Sequence, residues 1–476
     1  MDSREFAERI YLNLPYEPNS QQIELIAALA RFCSLDSPSD SVFLLTGYAG
    51  TGKTSVTGAL VRALKECRVP VVLLAPTGRA AKVFGAFARH PASTIHRRIY
   101  RAPDPAAAYS FGTVADNPLA NAVFIVDEAS MIGAASSDTQ TNLLEDLIHY
   151  VYSGIGCRMI LLGDTAQLPP VGTTCSPAMD VAALRAYGLR VSKAVMTAVV
   201  RQGATSGILY NATWLRKAML RDPLPQPVLR VDGFSDVRVI SGEEMPDEIE
   251  SAYSTAGTDN TIVITRSNRR ATAFNLAIRA NILGREEQLC RGERLLVAKN
   301  NYLWSAKVKG LDFIANGDIA VVSSVYGTET KYGISFADVR LTLPDRDIDV
   351  DCKIMLDTLT SDTPALAPDL AAEFYDAILN DAEMFTPYTP MSARMKILRS
   401  DPYFNALQVK YAYAVTCHKA QGGQWGHVFV DMGYIAPEAR GIDFYRWLYT
   451  AITRSTTALT LVNPDPSLIK IADSGK

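Results

Sequence analysis

The stretch SVFLLTGYAGTGKT, residues 41 to 54, restricts the fold more than any other part of the chain. An apolar run of strand length leads into Gly47 to Thr54, which fits the spacing GxxxxGK followed by Ser or Thr, and a helix-forming stretch follows. Such a motif works only as a strand, loop and helix in succession. Glycines at 47, 50 and 52 permit backbone angles and a closeness of approach that side chains forbid, so successive N–H groups converge on phosphate oxygens at a helix N-terminus. Gly47, Gly50, Thr51, Gly52, Lys53 and Thr54 are therefore the first candidate ATP contacts. Lys53 is expected to reach the β and γ phosphates, and the Thr54 hydroxyl to ligate Mg²⁺.

Strand-like apolar runs recur at 41–46, 70–75, 122–127 and 158–163, with helix-like stretches between some of them, which is the pattern of a parallel α/β sheet. A second series stands at 260–266, 427–431 and 456–462. A chain of 476 residues exceeds one ordinary core, so two nucleotide-fold lobes are expected. The first is placed at 1–190 with a short excursion at about 98–121; the second at 191–310 and 405–476. Between the parts of the second, YGTETKYGISF and DVRLTLPDRDIDVD alternate like hairpin strands, so a small β-barrel-like domain is expected at 311–404.

The net charge of −3 hides an uneven distribution. Asp338 to Glu383 holds twelve acids against Arg340, Arg346 and Lys353. Between Glu66 and Asp104 there is no acid, while Arg68, Arg79, Lys82, Arg89, Arg97, Arg98 and Arg101 form a strip suited to phosphates. Seven cysteines without a CxxC pair argue against a disulfide framework and against a zinc site, and Cys417 reads as a packing residue. No apolar run approaches the roughly 20 residues of a membrane span. The N-terminus lacks the basic start and apolar stretch of a secretory signal, so a cytoplasmic protein without membrane contact is expected.

Four further segments carry chemistry. In AVFIVDEASM, Asp127 ends an apolar strand where it can hold Mg²⁺ through water, and Glu128 beside it can orient and deprotonate an attacking water. In GDTAQLPPVG, Gln167 lies at the carboxyl end of a strand, the edge where such sheets bind ligands, and suits a γ-phosphate sensor. Arg201 in MTAVVRQG and Arg454 in LYTAITRS can supply positive charge at a departing phosphate from a second lobe.

The ordered series PNSQQ, GYAGTGKT, APTGRAAKVF, STIHR, VDEAS, GDTAQLPPVG, VVRQ, YAVTCHKAQGGQW and LYTAITRS resembles the superfamily 1 helicases, and within them the type B branch of the RecD, Dda and Pif relatives. The resemblance implies two RecA-like P-loop NTPase lobes with ATP between them and 5′ to 3′ movement on single-stranded DNA. Gln22 matches the glutamine that reads the adenine edge, although Asn19 stands where the family usually has threonine. Arg201 and Arg454 match the two arginines directed at the γ phosphate. Pro76, Thr77, Arg79 and His96 match DNA-facing segments of the first lobe, and Thr416 and His418 the corresponding segment of the second.

Phe84, Tyr302, Trp304 and Trp425 suit either base stacking or core packing. GERLLVAKNNY followed by ANGDIAVV resembles the family's approach to its barrel and supports a boundary near 310. By analogy the excursion near 98–121 is a strand-separating pin. Single-stranded and tailed duplex DNA are the expected partners of a monomer. Two alternatives stay open: a nucleotide-switched single-strand-binding ATPase that unwinds nothing, and an RNA-directed helicase.

Overall fold

The computed structural model describes residues 2–34, 38–100, 113–133, 142–198, 206–306, 308–311, 313–344 and 346–470. Six parallel strands make the first sheet: β1 (Ser41–Gly47), β2 (Val71–Ala75), β3 (Ala92–Thr94), β4 (Val123–Val126), β5 (Arg158–Gly163) and β6 (Arg190–Met196), in the order β3-β2-β4-β5-β1-β6. Strands β1, β4 and β5 are buried along their whole lengths, because helices cover both faces of a parallel sheet. Alternate residues of β1 feed opposite cores. Phe43 and Leu45 join Leu25, Leu29, Val56 and Leu60, while Val42 and Leu44 join Leu144, Leu147 and Ile99.

The two-residue strand β7 (Leu229–Arg230) precedes the second lobe's sheet, which is also wholly parallel. Its members are β8 (Val237–Ile240), β9 (Thr261–Thr265), β15 (Ala414–Thr416), β16 (Trp425–Asp431) and β17 (Ser455–Val462), in the order β15-β9-β16-β17-β8. β18 (Ile469–Lys470) pairs with β7.

Between β9 and β15 the chain forms a closed barrel of β10 (Arg294–Val297), β11 (Ile319–Lys331), β12 (Ile334–Leu343), β13 (Ile348–Met355) and β14 (Leu407–Tyr411). Tyr332 and Gly333 turn β11 into β12 with positive φ at both positions, the geometry that suits the twist of a tight hairpin. Acidic residues of this region are paired on its surface, Asp351 with Arg340, and Glu329 and Asp338 with Lys353.

The barrel does not keep to 311–404. That range supplies three staves, and β10 and β14 from outside it close the ring, since β10 pairs with both β11 and β14. Much of the segment from 357 to 398 is helical and packs Phe374, Ile378, Phe385 and Leu398 against Phe336. The first lobe likewise runs past 190, because β6 pairs with β1 as far as Met196.

Half of the excursion, residues 101–112, lies outside the described residues; on either side of them Tyr100 bridges Val114, and the Ala115 N–H donates to the Ile99 carbonyl at 2.7 Å. No helix among the described residues is long and apolar enough to cross a membrane.

Candidate functional site

The carboxyl edge of the first sheet gathers the chemistry. β1 ends in the phosphate loop, β2 in Pro76, β4 in Asp127 and β5 in the turn carrying Asp164 and Gln167. β3 lies beside β2, with Thr94 opposite Ala75, which puts His96 on the same edge. Parallel strands impose this arrangement, since every carboxyl end points the same way.

Gly50 and Gly52 adopt φ of 77° and 86°, in the left-handed region, and Gly52 caps the helix Lys53–Glu66. The Lys53 ammonium donates to the Gly47 carbonyl and to that of Tyr48 at 2.8 Å. Burial pulls its pKa down, and the nearby charges of Asp164, Asp127 and Glu128 oppose that shift.

Asp127 is pushed up to about 7, chiefly by burial and then by the like charge of Glu128; its Oδ1 accepts the Glu128 N–H at 2.8 Å. Glu128 itself holds φ at 52°, a left-handed conformation costing a non-glycine residue about 1–3 kcal/mol, of the kind that clusters at functional sites. Thr54 and Asp127 offer hard oxygen donors, and a half-buried carboxylate next to a like charge fits a cation. No cluster of three or more His, Cys, Asp or Glu residues that could hold a metal occurs among the described residues. A cation here must therefore take most of its shell from water and phosphate, as Mg²⁺ does.

Arg454 reaches this centre from the second lobe. Only 4% exposed, it places Nη1 3.8 Å from Glu128 Oε1. Its guanidinium is also fixed by the carbonyls of Thr450 and Gly423, at 3.1 and 3.2 Å, and by Thr453 Oγ1 at 3.3 Å. Arg201 lies outside the described residues. Gln167 is buried, and its Oε1 has no hydrogen-bond partner, an expensive state for a buried acceptor unless a ligand or water completes it.

Gln22 is fully buried against the phosphate loop, so close that a Cβ on Gly52 would meet its Nε2 at 2.5 Å. Its Oε1 accepts the Asn19 N–H, and its Nε2 donates to the Tyr16 hydroxyl at 3.1 Å and the Thr51 carbonyl at 3.5 Å. Asn19 meanwhile accepts the Gln22 N–H, completing a capping box, so asparagine performs the capping that a threonine there would. In this arrangement Gln22 braces the loop, and reading a base edge requires it to give up the Tyr16 or Thr51 contact.

Of the residues expected to face a strand, several meet at the junction of the lobes. Thr77 caps the helix Gly78–Ala88 by accepting the Ala80 N–H. Arg79 stacks over the Trp425 ring at 3.8 Å and donates to the Gln424 carbonyl at 2.9 Å, which makes it a clasp between lobes. Gly422 lies so near that a Cβ there would stand 2.8 Å from Ala80 Cβ and 3.1 Å from Thr77 Oγ1. Thr416 is half-buried at the end of β15, and His418 is exposed two residues later. His96 is half-buried beside Tyr100, its ring centroid 5.7 Å away, and burial lowers its pKa. Phe84 is core, Trp304 donates to the Asn405 carbonyl, and Tyr302 is 43% exposed beside Phe313. Cys417 is buried, with its thiol pushed up to about 12, as befits packing.

Sequence reasoning missed the residues through which the second lobe holds the first. Tyr449 meets the phosphate loop and Asp164, while Thr450 and Gln421 bond the N–H and carbonyl of Leu168. Tyr449 and Thr450 stand inside LYTAITRS, quoted for its arginine alone. Arg216 stacks over Tyr48 of the phosphate loop at 4.2 Å, and nothing in its sequence context signals this.

Residues 36–173 match an AAA domain, and residues 411–462 match a UvrD-like helicase C-terminal domain. The ATP-dependent RecD2 DNA helicase of Deinococcus radiodurans is 34% identical over 169 residues, covering 36% of this chain and 21% of that protein. The ATP-dependent DNA helicase Pif1 of a Psychrobacter species is 33% identical over 134 residues, covering 27% of this chain and 20% of that protein. The matched regions thus span about a fifth of the length of these curated relatives. A crystal structure of Pif1 helicase from Bacteroides in complex with ADP-AlF3 and ssDNA aligns over 95% of this chain and 94% of its own, with 14% identity and a TM-score of 0.46. Matched in both lobes, the chain resembles the RecD- and Pif-type helicases of superfamily 1, type B.

Proposed function

We propose that this chain is an ATP-dependent DNA helicase that translocates 5′ to 3′ on single strands. The observation that carries the reading is Arg454 of one lobe set 3.8 Å from Glu128 of the other, because it makes the hydrolytic centre depend on how the lobes are closed. Mg²⁺, held by Thr54 and Asp127, would neutralise phosphate charge when bound.

The chain's own residues do the rest. The amides of Gly47 to Thr54 cradle the phosphates of ATP, and Lys53 exchanges the Gly47 and Tyr48 carbonyls for phosphate oxygens. Glu128 orients a water and takes its proton; Gln167, whose Oε1 is unpartnered, can accept from that water, while its amide N–H can donate to the γ phosphate. Arg454, with Arg201, offsets charge on the departing phosphate. Pro76, Thr77, Arg79 and His96 on one lobe and Thr416 and His418 on the other grip a strand alternately as the cleft closes and opens. The clasp between Arg79 and Trp425 must loosen for Arg79 to serve a phosphate.

Unwinding of duplexes carrying a 5′ or a 3′ tail, with ATP and Mg²⁺, tests this reading. Unwinding of the 5′-tailed duplex alone is expected. Unwinding from the 3′ tail overturns the polarity, and strand-stimulated ATPase without any unwinding favours the nucleotide-switched binder.

A further inference from the structure

We infer that Tyr449 is a positioning residue that couples the second lobe to the phosphate loop and to the sensor turn at once, an inference that rests on the strand-stimulated ATPase proposed above. Its hydroxyl accepts the Ala49 N–H of the phosphate loop at 3.0 Å and donates to Asp164 Oδ2 at 2.6 Å. A phenol has one proton to give. Once that proton goes to the carboxylate, the oxygen serves the loop only as an acceptor, so the two bonds have fixed senses.

Asp164 passes the contact onward. Its Oδ1 accepts the Ala166 N–H at 2.9 Å, which shapes the turn that presents Gln167. The same turn is held at its far end, where Thr450 Oγ1 accepts the Leu168 N–H at 2.9 Å and Gln421 Nε2 donates to the Leu168 carbonyl at 2.7 Å. Tyr449 is 1% exposed and Asp164 2%, so water screens the charge-assisted bond between them little.

Tyr449 and Thr450 lie on the helix Ile442–Ile452, which ends two residues before Arg454. Displacement of that helix therefore alters Arg454 at Glu128, the Tyr449 bond to the loop and the grip on the sensor turn together. The helix also joins the segment expected to hold a strand, since the Cys417 thiol, beside His418, donates to the Trp447 carbonyl at 3.6 Å. The Tyr449 ring packs in the second lobe's core, in a cluster that also takes in Ala166 and Leu168 of the first lobe, and its hydroxyl makes both hydrogen bonds to the first lobe.

Tyr449→Phe keeps the ring and removes both crossing bonds. The readout is the ratio of ATPase kcat with oligothymidine to kcat without it, a ratio that general loss of folded protein does not change. It is expected to fall by about tenfold, within the usual range of coupling between sites. An unchanged ratio, even with both rates reduced alike, overturns the role of Tyr449. Wild-type protein unresponsive to oligothymidine overturns the underlying strand-stimulated reading and this inference with it. If Tyr449→Phe does not fold, Asp164→Asn, which removes the charge that orders the phenol, is measured by the same ratio; a fall supports the coupling and no change overturns it.

Discussion

Lys53 sits with its ammonium on the carbonyls of Gly47 and Tyr48, at the mouth of the loop that it serves, and no other described element depends on those bonds. Lys53→Ala is therefore expected to fold normally while phosphate release falls about 100-fold or more; turnover near the wild-type rate refutes its assignment. Arg454 is different, because its guanidinium satisfies the buried carbonyls of Thr450 and Gly423. For Arg454→Ala, nucleotide binding is expected to survive, hydrolysis to drop on the order of 1,000-fold, and stability to fall by about 1–3 kcal/mol for the orphaned acceptors. Single-turnover hydrolysis and a thermal melt measure the two effects. The first residue was readable from eight consecutive letters. The structural half of the second was not, since the carbonyl of Gly423 stands 31 positions away and carries no side-chain signature.

Elements were legible where burial alone decides them. The parallel strands announce themselves as apolar runs because both faces of each are covered, and the Tyr332-Gly333 hairpin because a positive-φ turn sits between alternating segments. The barrel's outer staves were not legible. RLLV at β10 and LQVKY at β14 are short, and each is defined by a partner strand more than a hundred residues away from the other. Strand pairing at that separation is decided by closure of the ring, not by local pattern. The loop after β15 makes a related prediction. Gly422 has φ of +73°, and a Cβ there would press on Ala80 and Thr77. Gly422→Ala is expected to cost about 1–2 kcal/mol from the backbone strain alone, with further loss as the Arg79–Trp425 clasp is pushed apart. A thermal melt unchanged from wild type would show that the lobes do not meet there.

For the whole molecule, the proposed function puts nucleotide between the lobes, where Arg454 of one stands 3.8 Å from Glu128 of the other. ADP with Mg²⁺ at about 100 times its dissociation constant should stabilise the protein by about 2.7 kcal/mol. Scanning calorimetry should register this as an upward shift in Tm, greatly reduced in Lys53→Ala; an equal shift in both proteins would place the nucleotide elsewhere. What the amino-acid order determined by itself was the chemistry of each sheet edge, because a strand, a glycine loop and a helix N-terminus are neighbours along the chain and need no distant partner. Only the tertiary structure decided which lobe completes which group. Tyr449 answers to Asp164 across 285 positions and to Ala49 across 400, and Arg79 finds Trp425 rather than open solvent. Such contacts arise where two lobes built from distant parts of the chain pack together, with Ala166 and Leu168 of the first in one core with Tyr449 of the second, so no local pattern along the chain records them.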